Sequence, residues 1–163
     1  MQKPKQRKLA SRVFTSAGWV LGTFHVPEKV PFMEFLNGTQ DFFTLTEVKL
    51  PRQGRPMPFL ALQRSAAALI VPGKDEWNRD ARNIENCRRV SCLFDGGLVL
   101  GTLELPEETR VSDHLMRKQH FIVLRNCTVG LDLGDVPSME ANPIVIANTD
   151  RVIGVAEMES ESE

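Results

Sequence analysis

The sequence contains no tyrosine and only three cysteines, and it nowhere runs apolar for the roughly 18 residues that a membrane-spanning helix needs. Each absence removes a class of protein. Cys87, Cys92 and Cys127 are odd in number and lack the paired spacing of zinc or redox modules. Neither a disulfide framework nor a metal centre is therefore expected, and a reducing compartment is. After the basic start, Val13 onward alternates apolar and polar residues instead of forming the apolar core of an export signal. A cytoplasmic location without membrane association is the expectation. No phosphate loop occurs, because Gly18-x-x-x-Gly22 has the spacing of a hairpin. The consecutive Ser112-Asp113-His114 is not a triad, since neighbours in sequence point apart, and a helix cap at Ser112 or Asp113 explains it better. The acidic pairs Glu28 with Glu107 and Glu34 with Asp113 recur at strand ends and turns, where solvated carboxylates are ordinary. No catalytic residue, no metal ligand and no cofactor is expected.

The net charge of −1 conceals a division. Residues 1 to 80 hold 12 Lys or Arg against 7 Asp or Glu, or +5, and residues 81 to 163 hold 8 against 14, or −6. Lys3, Lys5, Arg7, Lys8 and Arg12 supply most of the first excess, and Glu157, Glu159, Glu161 and Glu163 much of the second. Both ends read as solvated tails, the basic one over 1–11 and the acidic one over 159–163.

What the chain does contain is an internal repeat. Gly18 to Phe24 matches Gly97 to Leu103 at a shift of 79 positions, and from 18 to 45 the shift yields 11 identities in 28 positions without a gap. The similarity returns more weakly when Phe59 to Ile70 is laid on Ile144 to Val155, after some six extra residues that are expected to form a loop in the second copy. Each copy reads as five short strands, the first two joined by tight turns at Ala17-Gly18 and Asp95-Gly96-Gly97. In copy one these are Val13 to Ser16, Trp19 to Val26, Phe42 to Leu50, Phe59 to Leu62 and Ala67 to Val71. Between strands two and three, Phe32, Phe35 and Leu36 have the i, i+3, i+4 spacing of a short helical turn, mirrored by Val111, His114 and Leu115. Trp77, Ala81 and Ile84 predict a linker helix between the copies, with Trp77 packing on one or both. The domains are thus 12–72, a helical linker over 73–88, and 89–158. Gly22 and Gly101 are expected at equivalent strand positions where curvature or close approach excludes a side chain.

Five short strands with a hairpin, a central glycine in strand two and a closing pair form a small closed barrel, which leaves few edges exposed. The order resembles the Sm-like (SH3-like) barrel, carried by Gly18-x-x-x-Gly22-Thr23-Phe24 with Phe42 to Val48, and by Gly97-x-x-x-Gly101-Thr102-Leu103 with Phe121 to Cys127. The pattern Glu34-Phe35-Leu36-Asn37, echoed by Asp113-His114-Leu115, is similar to an uncharacterised bacterial Sm-like small-barrel family. The fold class is therefore mainly β, a tandem duplication of a five-stranded barrel with a helical linker. The resemblance implies RNA contact through an Asn after strand two and an Arg-Gly between strands four and five. Asn37 and Arg64-Ser65 occupy those places in copy one, with Phe32 and Phe35 as stacking faces, and copy two has Met116 and Thr149-Asp150 instead. It also implies that barrels associate by pairing strand four with strand five of the next, so that three chains would make a six-barrel homo-oligomeric ring. The balanced charge of copy one and the acidity of the second half oppose phosphate binding. Protein–protein interaction or scaffolding is the favoured expectation, with the partner's identity open, and single-stranded RNA binding by the first barrel the alternative.

Overall fold

A computed structural model describes residues 5–73, 86–117, 119–133 and 136–158; the side chains of 132–139 are not described. The chain divides into two compact units, 1–79 and 80–163. Both are mainly β.

The first unit contains β1 (Gln6–Thr15), β2 (Gly18–Pro27), α1 (Phe32–Leu36), β3 (Phe42–Lys49), β4 (Met57–Gln63), a 3-10 turn (Arg64–Ala66) and β5 (Leu69–Pro72). All pairings are antiparallel, and the strand order is β5-β1-β2-β3-β4. The β1–β2 hairpin turns on Gly18, whose φ of +116° only glycine adopts without cost. Alternation sends Val20, Phe24 and Val26 of β2 and Phe43 and Leu45 of β3 into one core. There Phe24 meets Phe32 and Phe43 edge-on at ring-centroid separations of 5.2 and 5.6 Å, the geometry aromatic quadrupoles favour.

The second unit contains β6 (Cys87–Phe94), β7 (Gly97–Glu104), α2 (Val111–Leu115), β8 (Phe121–Leu133), β9 (Val136–Asn148) and β10 (Val152–Glu157), in the order β10-β6-β7-β8-β9. This is the same order as in the first unit. The offset read from the sequence recurs in the backbone: α1 and α2 occupy the same five positions 79 apart. Phe35 and Asn37 donate N–H bonds to Pro31 and Met33, and His114 and Met116 donate the equivalent bonds to Arg110 and Ser112. After the extra residues the offset is 85, with Phe42 opposite Gln63 and Phe121 opposite Asn148.

A kink is repeated too. The β2–β3 register shifts between Leu21 and Thr23, and the β7–β8 register between Leu100 and Thr102, so Gly22 and Gly101 each sit at a bulge. On the facing strands Glu47 and Asn126 have φ of 53° and 52°, left-handed at matching positions. A Cβ on Gly22 would stand 3.2 Å from two atoms of Leu45, and one on Gly101 would stand 2.9 Å from Cys127 Sγ and 3.0 Å from Leu124 Cβ.

Several expectations are corrected. Among the described residues β4 does not pair with β5, nor β9 with β10, so neither sheet closes on itself. The reason is topological: β5 lies along β1 and β10 along β6, at the far side of the sheet from β4 and β9. The first strand starts at Gln6, so residues 6–11, expected in a basic tail, pair with 22–27. The extra residues of copy two do not form a loop. They lengthen a β8–β9 hairpin whose ladder runs from Phe121 opposite Asn148 to Leu133 opposite Val136, sustained by buried Cys127, Val129 and Leu131. Neither Ser112 nor Asp113 caps α2: Arg110 is the N-cap, without a side-chain bond, which places both residues in the first turn. Residues 1–4, 74–85 and 159–163 lie outside the described residues, and with them Trp77, most of the expected linker helix and the acidic tail.

Candidate functional site

The residues expected to contact a ligand divide between the core and the surface. Phe32 is 2% exposed, a core residue as a helical turn that buries Phe32, Phe35 and Leu36 would make it, and this corrects its reading as a stacking face. Phe35 is half-buried, tilted against Phe43 at 6.0 Å, with its carbonyl accepting a 2.7 Å bond from Gln40 Nε2. Asn37 ends α1, and Ser65 lies exposed in the 3-10 turn. Arg64 Nη1 donates to the carbonyl of Gly38, so the turn between β4 and β5 is fastened to the loop that follows α1. Asn37 and Arg64, 27 positions apart in sequence, therefore belong to one corner of the unit.

The corresponding corner of the second unit is held by other chemistry. Thr149 Oγ1 donates to Gln119 O, and His120 Nδ1 lies 3.1 Å from Asp150 Oδ2. On the outer face, the 2.7 Å contact between His25 Nε2 and Thr46 Oγ1 is replaced 79 positions later by the ion pair of Glu104 with Arg125. The His25–Thr46 contact sets a hydroxyl beside an imidazole, but among the described residues no third group orients that ring. Among the described residues no group of three or more His, Cys, Asp or Glu could hold a metal ion. Cys92 and Cys127 are buried, and desolvation of the thiolate pushes their thiols up to about 11 and about 12.

No family model, no curated protein and no solved structure matches this chain.

The two copies differ most at their sheet edges. Among the described residues β4 pairs only with β3, and β10 only with β6; these are terminal strands with backbone groups unpaired on one side. Phe42 is 55% exposed and Phe59 57% exposed, whereas their equivalents Phe121 and Ile144 are 0% and 5% exposed. The difference reverses at the fifth strand. Leu69 to Pro72 are all buried, but the matching Gly154, Ala156 and Glu157 of β10 are exposed, as is Ile153 at 67%. Next to β10 lies a groove of about 590 Å³ over Leu105, Val111, Leu115 and Val155, rimmed by Arg88, Arg110 and Glu157. Leu115 and Val155 in its floor are half-buried, whereas their counterparts Leu36 and Ile70 are fully buried in the first unit.

Sequence reasoning missed this asymmetry. The repeat alignment that pairs Phe59 with Ile144 carried the signal, but it could not tell which copy of each strand is covered.

Proposed function

We propose that this chain is a non-catalytic binding or scaffolding module, cytoplasmic and cofactor-free, that acts through protein–protein contact at its terminal strands. In this reading each unit is an Sm-like five-stranded unit whose sheet stays open, and the linker expected over 73–88 ends before Cys87, where β6 begins; the shared strand order and the paired glycine bulges support it. The observation that carries the function is the reciprocal exposure of β4 and β10. Each is a terminal strand bearing apolar side chains in water, while its equivalent in the other unit is covered. An unpaired strand edge with exposed aromatic residues is a template for another strand.

The alternative, single-stranded RNA binding by the first unit, draws on the corner where Arg64 meets the loop bearing Asn37. Against it, the guanidinium already serves a carbonyl and Phe32 offers no face for stacking. Fluorescence anisotropy with uridine-rich and adenine-rich oligonucleotides at low and moderate salt separates the two. No binding at low salt is expected. Micromolar binding that weakens with salt and disappears in Arg64→Ala would replace protein contact with the RNA reading.

A further inference from the structure

Two residues in the floor of the second unit's groove are smaller than those the first unit packs in their places. Val111 stands for Phe32 and Val155 for Ile70, while Leu115 matches Leu36 and Leu105 is larger than Val26. The wall shortens too. Arg7 Nη2 donates to the carbonyl of Val30 at 2.8 Å, and Asn86 Nδ2, at the equivalent position, donates to the equivalent carbonyl of Thr109 at 3.4 Å. We propose that this groove binds a free aromatic α-amino acid, with the ring laid on Val111 and the two charged groups held at the rim. Strand contact at β4 and β10 plays no part in it, so either reading can fail alone.

The first unit shows what belongs over such a floor. Phe32 lies edge-on to Phe24 at 5.2 Å and stacked on Phe35 at 6.5 Å, so one ring completes an aromatic cluster. In the second unit Leu103, Val111 and His114 hold those three positions, and no phenyl ring is supplied from them. A groove of about 590 Å³ has room for the ring of an amino acid together with its backbone atoms. A ring seated there removes from water apolar area that the half-buried Leu115 and Val155 still expose.

The rim decides the charge of the ligand. Arg88 Nε lies 3.2 Å from Glu157 Oε1, so these two satisfy each other. Arg110 and Glu108 also line the groove; both are exposed, and among the described residues neither has an ion-pair partner. One cation and one anion above an apolar floor are complementary to a zwitterion that carries an apolar side chain. The carboxylate pairs with the Arg110 guanidinium, and the ammonium with the Glu108 carboxylate. A ligand of one sign only would leave one rim charge facing its like, and an aliphatic amino acid would satisfy the rim but cover less of the floor.

The test is titration calorimetry of the full chain with L-phenylalanine, L-tryptophan, L-leucine, hydrocinnamate, which lacks the ammonium, and phenethylamine, which lacks the carboxylate. The two aromatic amino acids should bind with dissociation constants in the millimolar range or below, as suits so small a ligand. Hydrocinnamate and phenethylamine should each bind about tenfold more weakly than L-phenylalanine, and L-leucine more weakly than L-phenylalanine. Val111→Phe returns the first unit's ring to the floor and should abolish binding with the circular dichroism spectrum unchanged. Should that variant fail to fold, Arg110→Gln and Glu108→Gln, both on exposed side chains, decide the matter. Each should weaken L-phenylalanine by about tenfold, and in Arg110→Gln phenethylamine should lose its disadvantage. No binding of L-phenylalanine or L-tryptophan, equal binding of all five compounds, or binding unchanged in a folded Val111→Phe or in either rim variant overturns the proposal.

Discussion

Replacing Gly101 by alanine adds one methyl group at a position where the chain leaves no room for it. The new Cβ would meet Cys127 Sγ at 2.9 Å and Leu124 Cβ at 3.0 Å, both in the core and both fixed by β8. Forcing a methyl into a packed core costs about 1–3 kcal/mol. Against this, alanine in a strand gains about 0.5–1 kcal/mol over glycine by restricting the unfolded chain. The net expectation for Gly101→Ala is a loss of about 1–2 kcal/mol, and Val should cost more. At Gly22 the nearest atoms, Leu45 Cβ and Cδ1, stand at 3.2 Å, so Gly22→Ala should lie within about 1 kcal/mol of the parent. Urea unfolding monitored by circular dichroism measures both. The decisive comparison is the double variant Gly101→Ala with Cys127→Ala: removing the sulfur makes space, so the double should be more stable than the sum of the singles by about 1 kcal/mol. Additive costs, or a Gly101→Val protein as stable as the parent, would refute the claim that close approach excludes a side chain there.

Phe32→Ala should cost about 3–5 kcal/mol by opening a cavity beside Phe24, whereas Phe59→Ala should change unfolding of the monomer by less than about 0.5 kcal/mol, both read from urea midpoints. A thiol reagent at mildly alkaline pH should label one cysteine rapidly, Cys87, with Cys92 and Cys127 protected until the protein is unfolded. The same burial makes stability fall at high pH. Because the folded-state values lie above the ordinary thiol value of 9.0, the contribution is complete below pH 9 and is lost as pH rises toward about 12. Cys127→Ala should flatten the alkaline end of the stability–pH curve, and an unchanged curve would assign the loss to other groups.

The parts of this fold that could be read in the sequence are those set by local pattern. Spacing of Phe32, Phe35 and Leu36 placed a helical turn, and α1 spans those residues; the 79-residue offset matches α1 to α2 and one bulge to the other. What could not be read depends on partners distant in sequence. Gln6 to Ala10 alternate between exposed and half-buried, so their place in β1 comes from the ladder with β2 and not from apolar content. Residues 136–143 read in the sequence as part of a loop but continue a ladder that buried Val129 and Leu131 hold in register. At the candidate site, Asn37 and Arg64 were chosen from sequence and belong to one corner, yet Phe32 was chosen with them and turned inward. A helical stripe cannot say which of its aromatic residues stays at the water.

Glu47 and Asn126 hold the same left-handed turn of the backbone with different side chains. Asparagine tolerates that conformation and glutamate pays for it, so the bend is dictated by the bulge and not by either residue. The two units are thus interchangeable parts at this joint, whatever has changed around it. A chain in which 42–49 is exchanged for 121–128 should keep its curvature, and the kinked strand pair can be treated as a transplantable hinge for rebuilding either half.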